Sequence, residues 1–506
     1  MEGNDEERGA KEMTEAKVER RRISIDPVTR LEGHGRIEIF LNDEGDVENA
    51  YFQVPELSGF EKFCEGRPLE TLPVITARIC GVCPEAHHMA STKALDAVFK
   101  VDPPSPAKKL RELLYSAFMV ADHATHFYAL SGPDFVVGPD APPAERNIVG
   151  VIGKVGMEVG GQVLRALAAC HEVVAMLGGK YIHPTCGLPG GVSKGLTEEE
   201  RAKVEEIAKA AVEFGKLTIK ILDDVVLANK AYVDMILSDT FTHQTYYMGL
   251  VDENNRVNFY DGQLRVVDQQ GKEVAKFPVS QYLDYIGEHV EPWTYVKFPY
   301  LKSVGWHGLT DGPGSGIYRV APLARLNVAD GMATPLAQAE YERFYSTLGD
   351  KPVHATLATH WARVVELVYA AERLLELSQD PEITSTNIRT IPSETPGEGV
   401  GVVEAPRGVL IHHYWADENA LAKKVNLIVG TGHNSGAIAM SIKKAAQGLI
   451  KKGTVISEGL LNTIEMAFRA YDPCFACATH SLPGQMPLIV SIYDSQGNLS
   501  QRLRRD

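Results

Sequence analysis

Four of the chain's seven cysteines fall into two Cys-x-x-Cys pairs at opposite ends of the sequence, Cys80-Gly81-Val82-Cys83 and Cys474-Phe475-Ala476-Cys477. In such a pair a tight turn or a first helical turn lets both sulfurs face one ion, and thiolates are soft donors suited to zinc, nickel, iron and clusters. Spacing alone leaves three readings open: a structural zinc site, a catalytic metal, or a redox-active dithiol. Structural zinc staples small units that cannot build a core of their own, which is not the need of a 506-residue chain. Both pairs also keep polar company, Arg78 and His87 beside the first, Asp472 and His480 beside the second. Such groups hydrogen-bond thiolates or carry protons, work that a closed structural site does not require. Cys64, Cys170 and Cys186 stand singly and read as packed thiols, and seven cysteines are too sparse for a disulfide scaffold.

The elements that must bring these ends together are mostly helical. Periodicity predicts helices over Pro106 to Ser131, Ala144 to Leu177 and Thr197 to Asn229, then Pro335 to Tyr345, Thr356 to Leu377, Ser435 to Lys451 and Ser457 to Tyr471. Thr197, followed by three glutamates, is a good N-cap. Alternation predicts a hairpin over Gly35 to Val54, a small antiparallel sheet between Tyr247 and Phe277, and strands over Gly399 to Val429. No repeat or low-complexity linker divides the chain. The expectation is an α+β fold, one large, mainly helical domain over 23–480 with peripheral antiparallel β segments, preceded by a charged, disordered tail over 1–22.

Composition narrows the partners. The formal net charge is −15, with no basic stripe for phosphate, so nucleic acid is not expected. The charged N-terminus lacks the apolar core of a signal peptide, and Glu145, Lys154, Glu158, Arg165 and Glu172 interrupt the small-residue stretch from Pro143 to Leu177 too often for a membrane span. A cytoplasmic location is expected.

The motifs R-x-C-G-x-C and D-P-C-x-x-C-x-x-H resemble the paired signature of nickel–iron hydrogenase large subunits, and Ile25-Asp26-Pro27-Val28-Thr29-Arg30-Leu31-Glu32-Gly33-His34 is similar to the family's opening motif. The resemblance runs over most of the chain and looks most like the cytoplasmic group. It implies reversible heterolytic cleavage of dihydrogen into hydride and proton. Cys80 and Cys474 would be terminal nickel ligands, and Cys83 and Cys477 would bridge nickel to an iron carrying carbon monoxide and cyanide. Glu32 matches the proton-relay glutamate, taking its proton from Cys474. Arg407 matches the arginine that hangs over the metal pair, positioned by Asp122 and Asp472, and His87 a histidine that hydrogen-bonds the sulfur of Cys83. Pro406 and Thr431 would border the diatomic ligands, and Gly430 stands where the family often has proline. Glu61, His480 and a main-chain carbonyl near Leu427 would hold magnesium. His123, His126, His183, His412 and His413 are expected to be structural, and His88 is assigned no role.

The same resemblance implies partners. With no cysteines left for a cluster chain, electrons would pass to an iron–sulfur small subunit, then to further electron-transfer subunits. Nickel-insertion factors would load the site, and a maturation endopeptidase would remove residues 481–506 by cutting after His480; a retained strand over Pro487 to Tyr493 is the alternative. The related quinone-site subunit of respiratory complex I lacks the four cysteines, and a structural zinc protein would need neither Glu32 nor Arg407.

Overall fold

The structure, a computed structural model, describes residues 22–480, 488–493 and 499–505. The tail expected over 1–22 lies outside the described residues except for Arg22, which opens strand β1 (Arg22–Ile25). β1 pairs with β2 (Arg36–Leu41), and β2 with β3 (Val47–Gln53), in an antiparallel three-stranded sheet. The expected hairpin is its second half. Asn42 turns it by accepting the N–H groups of Glu44 and Asp46 on its side chain, as Asn does at turn positions.

Helices α1 (Pro84–Val98) and α2 (Ser105–Thr125) follow, both carrying proline in the first turn, where its missing N–H has no partner to lose. The stretch expected as one helix over Ala144 to Leu177 is two, α3 (Ile148–Val155) and α4 (Met157–Gly178). Gly156 between them adopts φ +91°, which ends α3, and Asn147 caps its start by accepting the N–H groups of Val149 and Gly150. α5 (Glu198–Leu222) begins with the reciprocal Thr197–Glu200 box that its sequence advertises.

Strands β4 (Tyr246–Val251), β5 (Gln263–Val267) and β6 (Glu273–Phe277) form the antiparallel sheet expected between Tyr247 and Phe277, joined by a parallel two-residue strand, Tyr318–Arg319. Further helices are α6 (Pro322–Val328), α7 (Pro335–Leu348) and α8 (Thr359–Ser378); α8 packs against both α2 and α5 in the helical core.

The next sheet, β7 (Glu398–Ala405), β8 (Gly408–Ala416) and β9 (Ala422–Ile428), lies against α1 and is largely buried. Its approach is close because β7 carries glycine where it meets the helix: a Cβ at Gly401 would sit 2.1 Å from the Ala90 carbonyl oxygen. The β7–β8 turn places Pro406 and Arg407 at its tip, with Ala405 paired to Gly408. The chain then runs through α9 (Gly430–His433), α10 (Ser435–Leu449), α11 (Glu458–Arg469) and α12 (Phe475–Ala478). Strands β10 (Leu488–Tyr493) and β11 (Leu499–Arg505) pair antiparallel; residues 481–487, which hold the expected cut, lie outside the described residues.

Gly408 is a tightly constrained joint of this frame. Its φ is +124°, and a Cβ there would lie 2.0 Å from Val320 Cγ2. Backbone strain and overpacking together should make Gly408→Ala cost about 2–4 kcal/mol. Gly432→Ala, whose Cβ would meet Val429 Cγ2 at an ordinary 3.5 Å, serves as the control. The check is the denaturation midpoint of each variant, which should fall for the first and stay near wild type for the second.

Candidate metal centre

Each cysteine sits where a short element starts or ends. Cys80 closes a 3-10 turn over Ala77–Ile79, and Cys83 is the N-cap of α1. Cys474 is the N-cap of α12, with Cys477 one turn on, so both sulfurs lie on one face. Across the two pairs, Cys80 Sγ is 3.4 Å from Cys474 Sγ and Cys83 Sγ is 3.7 Å from Cys477 Sγ. Cys474 and Cys477 are 2.9 Å apart, and all four sulfurs fall within 4.8 Å of one another. All are buried and none is in a disulfide.

The four thiols are not equivalent. Thiol donors from Cys474, Cys477 and Cys83 hold Cys80 well below the ordinary thiol range. The backbone N–H groups of Val82 and Cys83 also donate to its sulfur, at 3.2 and 3.1 Å. Burial pushes Cys474 and Cys477 well above that range. The metal-free chain therefore keeps protons on this cluster that a bound cation must displace. Four buried soft donors facing one small space fit a thiophilic transition metal.

A charged layer covers the sulfurs. Arg407 donates from Nε to the Asp472 carbonyl at 2.9 Å and from Nη1 to Asp122 Oδ2 at 3.1 Å, and its Nη2 lies 2.9 Å from Asp472 Oδ2. Burial works against its charge, but Asp122 and Asp472 hold it well above its ordinary value. The turn that carries it is clamped from behind: the fully buried Arg325 donates to the carbonyls of Ala405 and Pro406 and pairs with Glu366 and Glu404. Gly430 belongs to the same fitting, since a Cβ there would lie 2.7 Å from the Arg407 carbonyl carbon. The glycine that departs from the family's usual proline thus leaves room for the arginine's own backbone. Thr431 Oγ1 accepts the Cys474 N–H at 2.9 Å.

Glu32 reaches the cluster from the opposite terminus. Its Oε2 accepts from Cys474 Sγ at 2.9 Å and from the Ala476 N–H at 3.2 Å. Its backbone joins residues 473–475 in a short parallel bridge, Glu32 N–H to the Pro473 carbonyl and Phe475 N–H to the Glu32 carbonyl. Burial raises its carboxyl above the ordinary range. The loop before it is tied down by ions: Arg30 and Arg469 share Asp134, and Thr29 and Arg469 share Glu465.

His87 differs from expectation. Its Nε2 lies 3.4 Å from Cys477 Sγ, not against Cys83, because Nδ1 is held 3.1 Å from His412 Nε2 on β8 and turns the ring toward the facing pair. Burial pulls it down to about 4, so the ring is neutral. His412, expected to be merely structural, is therefore part of the site's support, and His183 lies 3.1 Å from the Cys80 carbonyl oxygen. Arg78, grouped with the cysteines in sequence, is exposed. His88 bonds the Pro73 carbonyl and the Gly187 N–H, a structural role.

A second, harder donor set sits nearby. Glu61 Oε1 is 3.0 Å from His480 Nδ1 and accepts the Leu427 N–H at 2.8 Å. Leu427 lies on β9 at the sheet edge, opposite His412 on β8. On an antiparallel strand a residue's N–H and C=O leave on the same side, so the Leu427 carbonyl shares the sheet edge from which its N–H reaches Glu61.

Comparison with known proteins agrees with this geometry. A family model described as nickel-dependent hydrogenase matches residues 58–147 and 162–480, and one described as HoxL-like matches residues 22–57. The chain is 51% identical over 484 residues to an F420-non-reducing hydrogenase iron-sulfur subunit of Archaeoglobus profundus, covering 96% of this chain and 99% of that protein. It is 38% identical over 493 residues to the NAD-reducing hydrogenase HoxS subunit beta of Cupriavidus necator, covering 95% and 98%. A solved NAD+-reducing NiFe-hydrogenase in the H2-reduced state superposes with a TM-score of 0.83 at 36% identity, over 91% of this chain and 99% of that one. The chain belongs to the nickel-dependent hydrogenase family, as the large subunit that acts on dihydrogen.

Proposed function

We propose that Cys80, Cys83, Cys474 and Cys477 hold a nickel–iron pair and that Glu32 takes the proton released when dihydrogen is split. The observation that carries this reading is the Glu32 carboxyl 2.9 Å from Cys474 Sγ, beside four buried thiols and under a buried guanidinium. Bound there, the metals would supply Lewis acidity that polarises dihydrogen toward hydride and proton. The chain's own part is positional. Cys474 donates its proton to Glu32, whose raised carboxyl is suited to accept and pass it on. Arg407, fixed at its headgroup and its backbone, keeps a rigid positive charge beside the sulfurs without reorganising.

Carbon monoxide and cyanide on the iron are supported by the donors at hand, the Arg407 guanidinium and the Thr431 hydroxyl, with Pro406 beside them. Magnesium on Glu61, His480 and the Leu427 carbonyl is supported by the hard oxygen donors of that set.

Electrons need a carrier from outside. Among the described residues the four cysteines are the one group of three or more His, Cys, Asp and Glu side chains close enough to share a metal ion, and Cys64, Cys170 and Cys186 are buried singly. The Gly81–Val82 turn between two of the ligand cysteines is exposed, Val82 by 38%, and offers a short route from the centre to an iron–sulfur small subunit. Further electron-transfer subunits, set in a cytoplasmic complex, would fix the final acceptor; among the described residues no helix is long and apolar enough to cross a membrane. A catalytic domain over 23–480, with nickel-insertion factors loading it and an endopeptidase cutting after His480, is supported by the seating of that residue: it is 5% exposed and its carbonyl accepts the Glu61 N–H.

Three variants test this in the native complex. Cys477→Ser should abolish dihydrogen-dependent dye reduction together with bound nickel. Glu32→Gln should keep its nickel while dihydrogen–proton exchange falls by about 10²–10⁴; full exchange would remove Glu32 from the relay. Arg407→Lys, which keeps the charge and loses the fork, should lower turnover by about 10² at unchanged metal content, read as kcat with an artificial acceptor.

A further inference from the structure

We propose that the proton leaves Glu32 by way of Glu56 and His34, and that the exposed His34 ring is the port through which it reaches solvent. The inference rests on Glu32 being the relay acid and extends that path outward.

Glu56 lies against the backbone just beyond Glu32. A Cβ built on Gly33 would come within 2.6 Å of Glu56 Oε2, so the glycine, at φ +90°, leaves the space that the carboxylate fills. The same oxygen is buried and has no hydrogen-bond partner among the described residues, an uncommon state for a carboxylate and one that calls for a proton or a water. The other oxygen, Oε1, is bonded to His34 Nδ1. His34 closes the route: its side chain is 76% exposed, against 22% for Glu56. Buried thiol, half-buried carboxyl, half-buried carboxylate and exposed imidazole, on Cys474, Glu32, Glu56 and His34, thus follow one another outward.

Each step conserves the proton. The Glu32 O–H proton crosses to Glu56 Oε2 through an intervening water, one O–H breaking as the next forms. Rotation of the Glu56 carboxyl brings that O–H to His34 Nδ1, where an N–H forms as the O–H breaks; the imidazolium then releases its Nε2 proton to water or buffer, and tautomer exchange through solvent returns the ring to its starting form. The bond to Glu56 raises His34 above its ordinary value, so near neutral pH the ring holds a proton readily while remaining able to release it.

The test uses the assembled, metal-loaded enzyme. Glu56→Gln should retain nickel, lose about 10²-fold in dihydrogen oxidation with an artificial acceptor, and show a larger solvent deuterium isotope effect. His34→Ala should be slowed in the same way and be restored by free imidazole in the buffer, a rescue that a structural role would not give. Because His34 is exposed, its variant carries little risk to folding. Wild-type turnover with an unchanged isotope effect in Glu56→Gln, or a His34→Ala enzyme that imidazole does not accelerate, would overturn the proposal. Full exchange in Glu32→Gln with both outer variants slow would instead fault the relay acid and leave the port standing.

Discussion

Everything in this fold answers to one electrostatic constraint: four sulfurs, each wanting to be a thiolate once a metal is bound, must share a buried space less than 5 Å across. Without a cation, like charges at that separation are strongly unfavourable, and the cluster responds by ionising unevenly. Thiol and amide donors draw Cys80 well below the ordinary thiol range, while burial pushes Cys474 and Cys477 well above it. A metal ion relieves the constraint, and until then backbone N–H groups and a guanidinium supply positive potential.

That constraint explains why so much ionic structure is buried around the site. Arg407 cannot sit among sulfurs without anions of its own, so Asp122 on α2 and Asp472 before α12 are drawn in, one on each side. The β7–β8 turn that presents it would be free to move if Arg325 did not hold two of its carbonyls, and Arg325 in turn needs Glu366 and Glu404. A matching quartet of Arg30, Asp134, Glu465 and Arg469 ties the Glu32 loop to the end of α11, from which the chain runs directly to Cys474. Buried pairs of this kind are weak evidence for stability, but breaking one leaves an uncompensated charge, so they hold geometry firmly.

How much of this was legible before the fold was known depended on whether the signal was local. The cysteine pairs, the Thr197 cap and the hairpin at Asn42 announce themselves within a few residues. Asp472 and His480 stand out beside the second pair, but Glu32, Arg407, Asp122 and Glu61 were reached by resemblance; the fold sets Glu32 on Cys474, holds Arg407 between Asp122 and Asp472, and pairs Glu61 with His480. What stayed hidden was long-range. Arg325 pairs with residues 41 and 79 positions away, and nothing near it in sequence marks it as a clamp. His412 looked structural because its partner, His87, lies 325 positions earlier, and that same bond turns His87 toward Cys477. The break at Gly156 is hidden in sequence because Gly150, Gly153, Gly160 and Gly161 sit in the same pattern without ending a helix, and only its backbone angle shows that the helix ends there.

The central claim is that the four sulfurs enclose a nickel and an iron. Anomalous diffraction from crystals of the mature complex, recorded on either side of the nickel and iron absorption edges, tests it directly. The account predicts two separate peaks, one for each metal, between Cys80, Cys83, Cys474 and Cys477. A single peak at the zinc edge, tetrahedral among the four sulfurs, would contradict it.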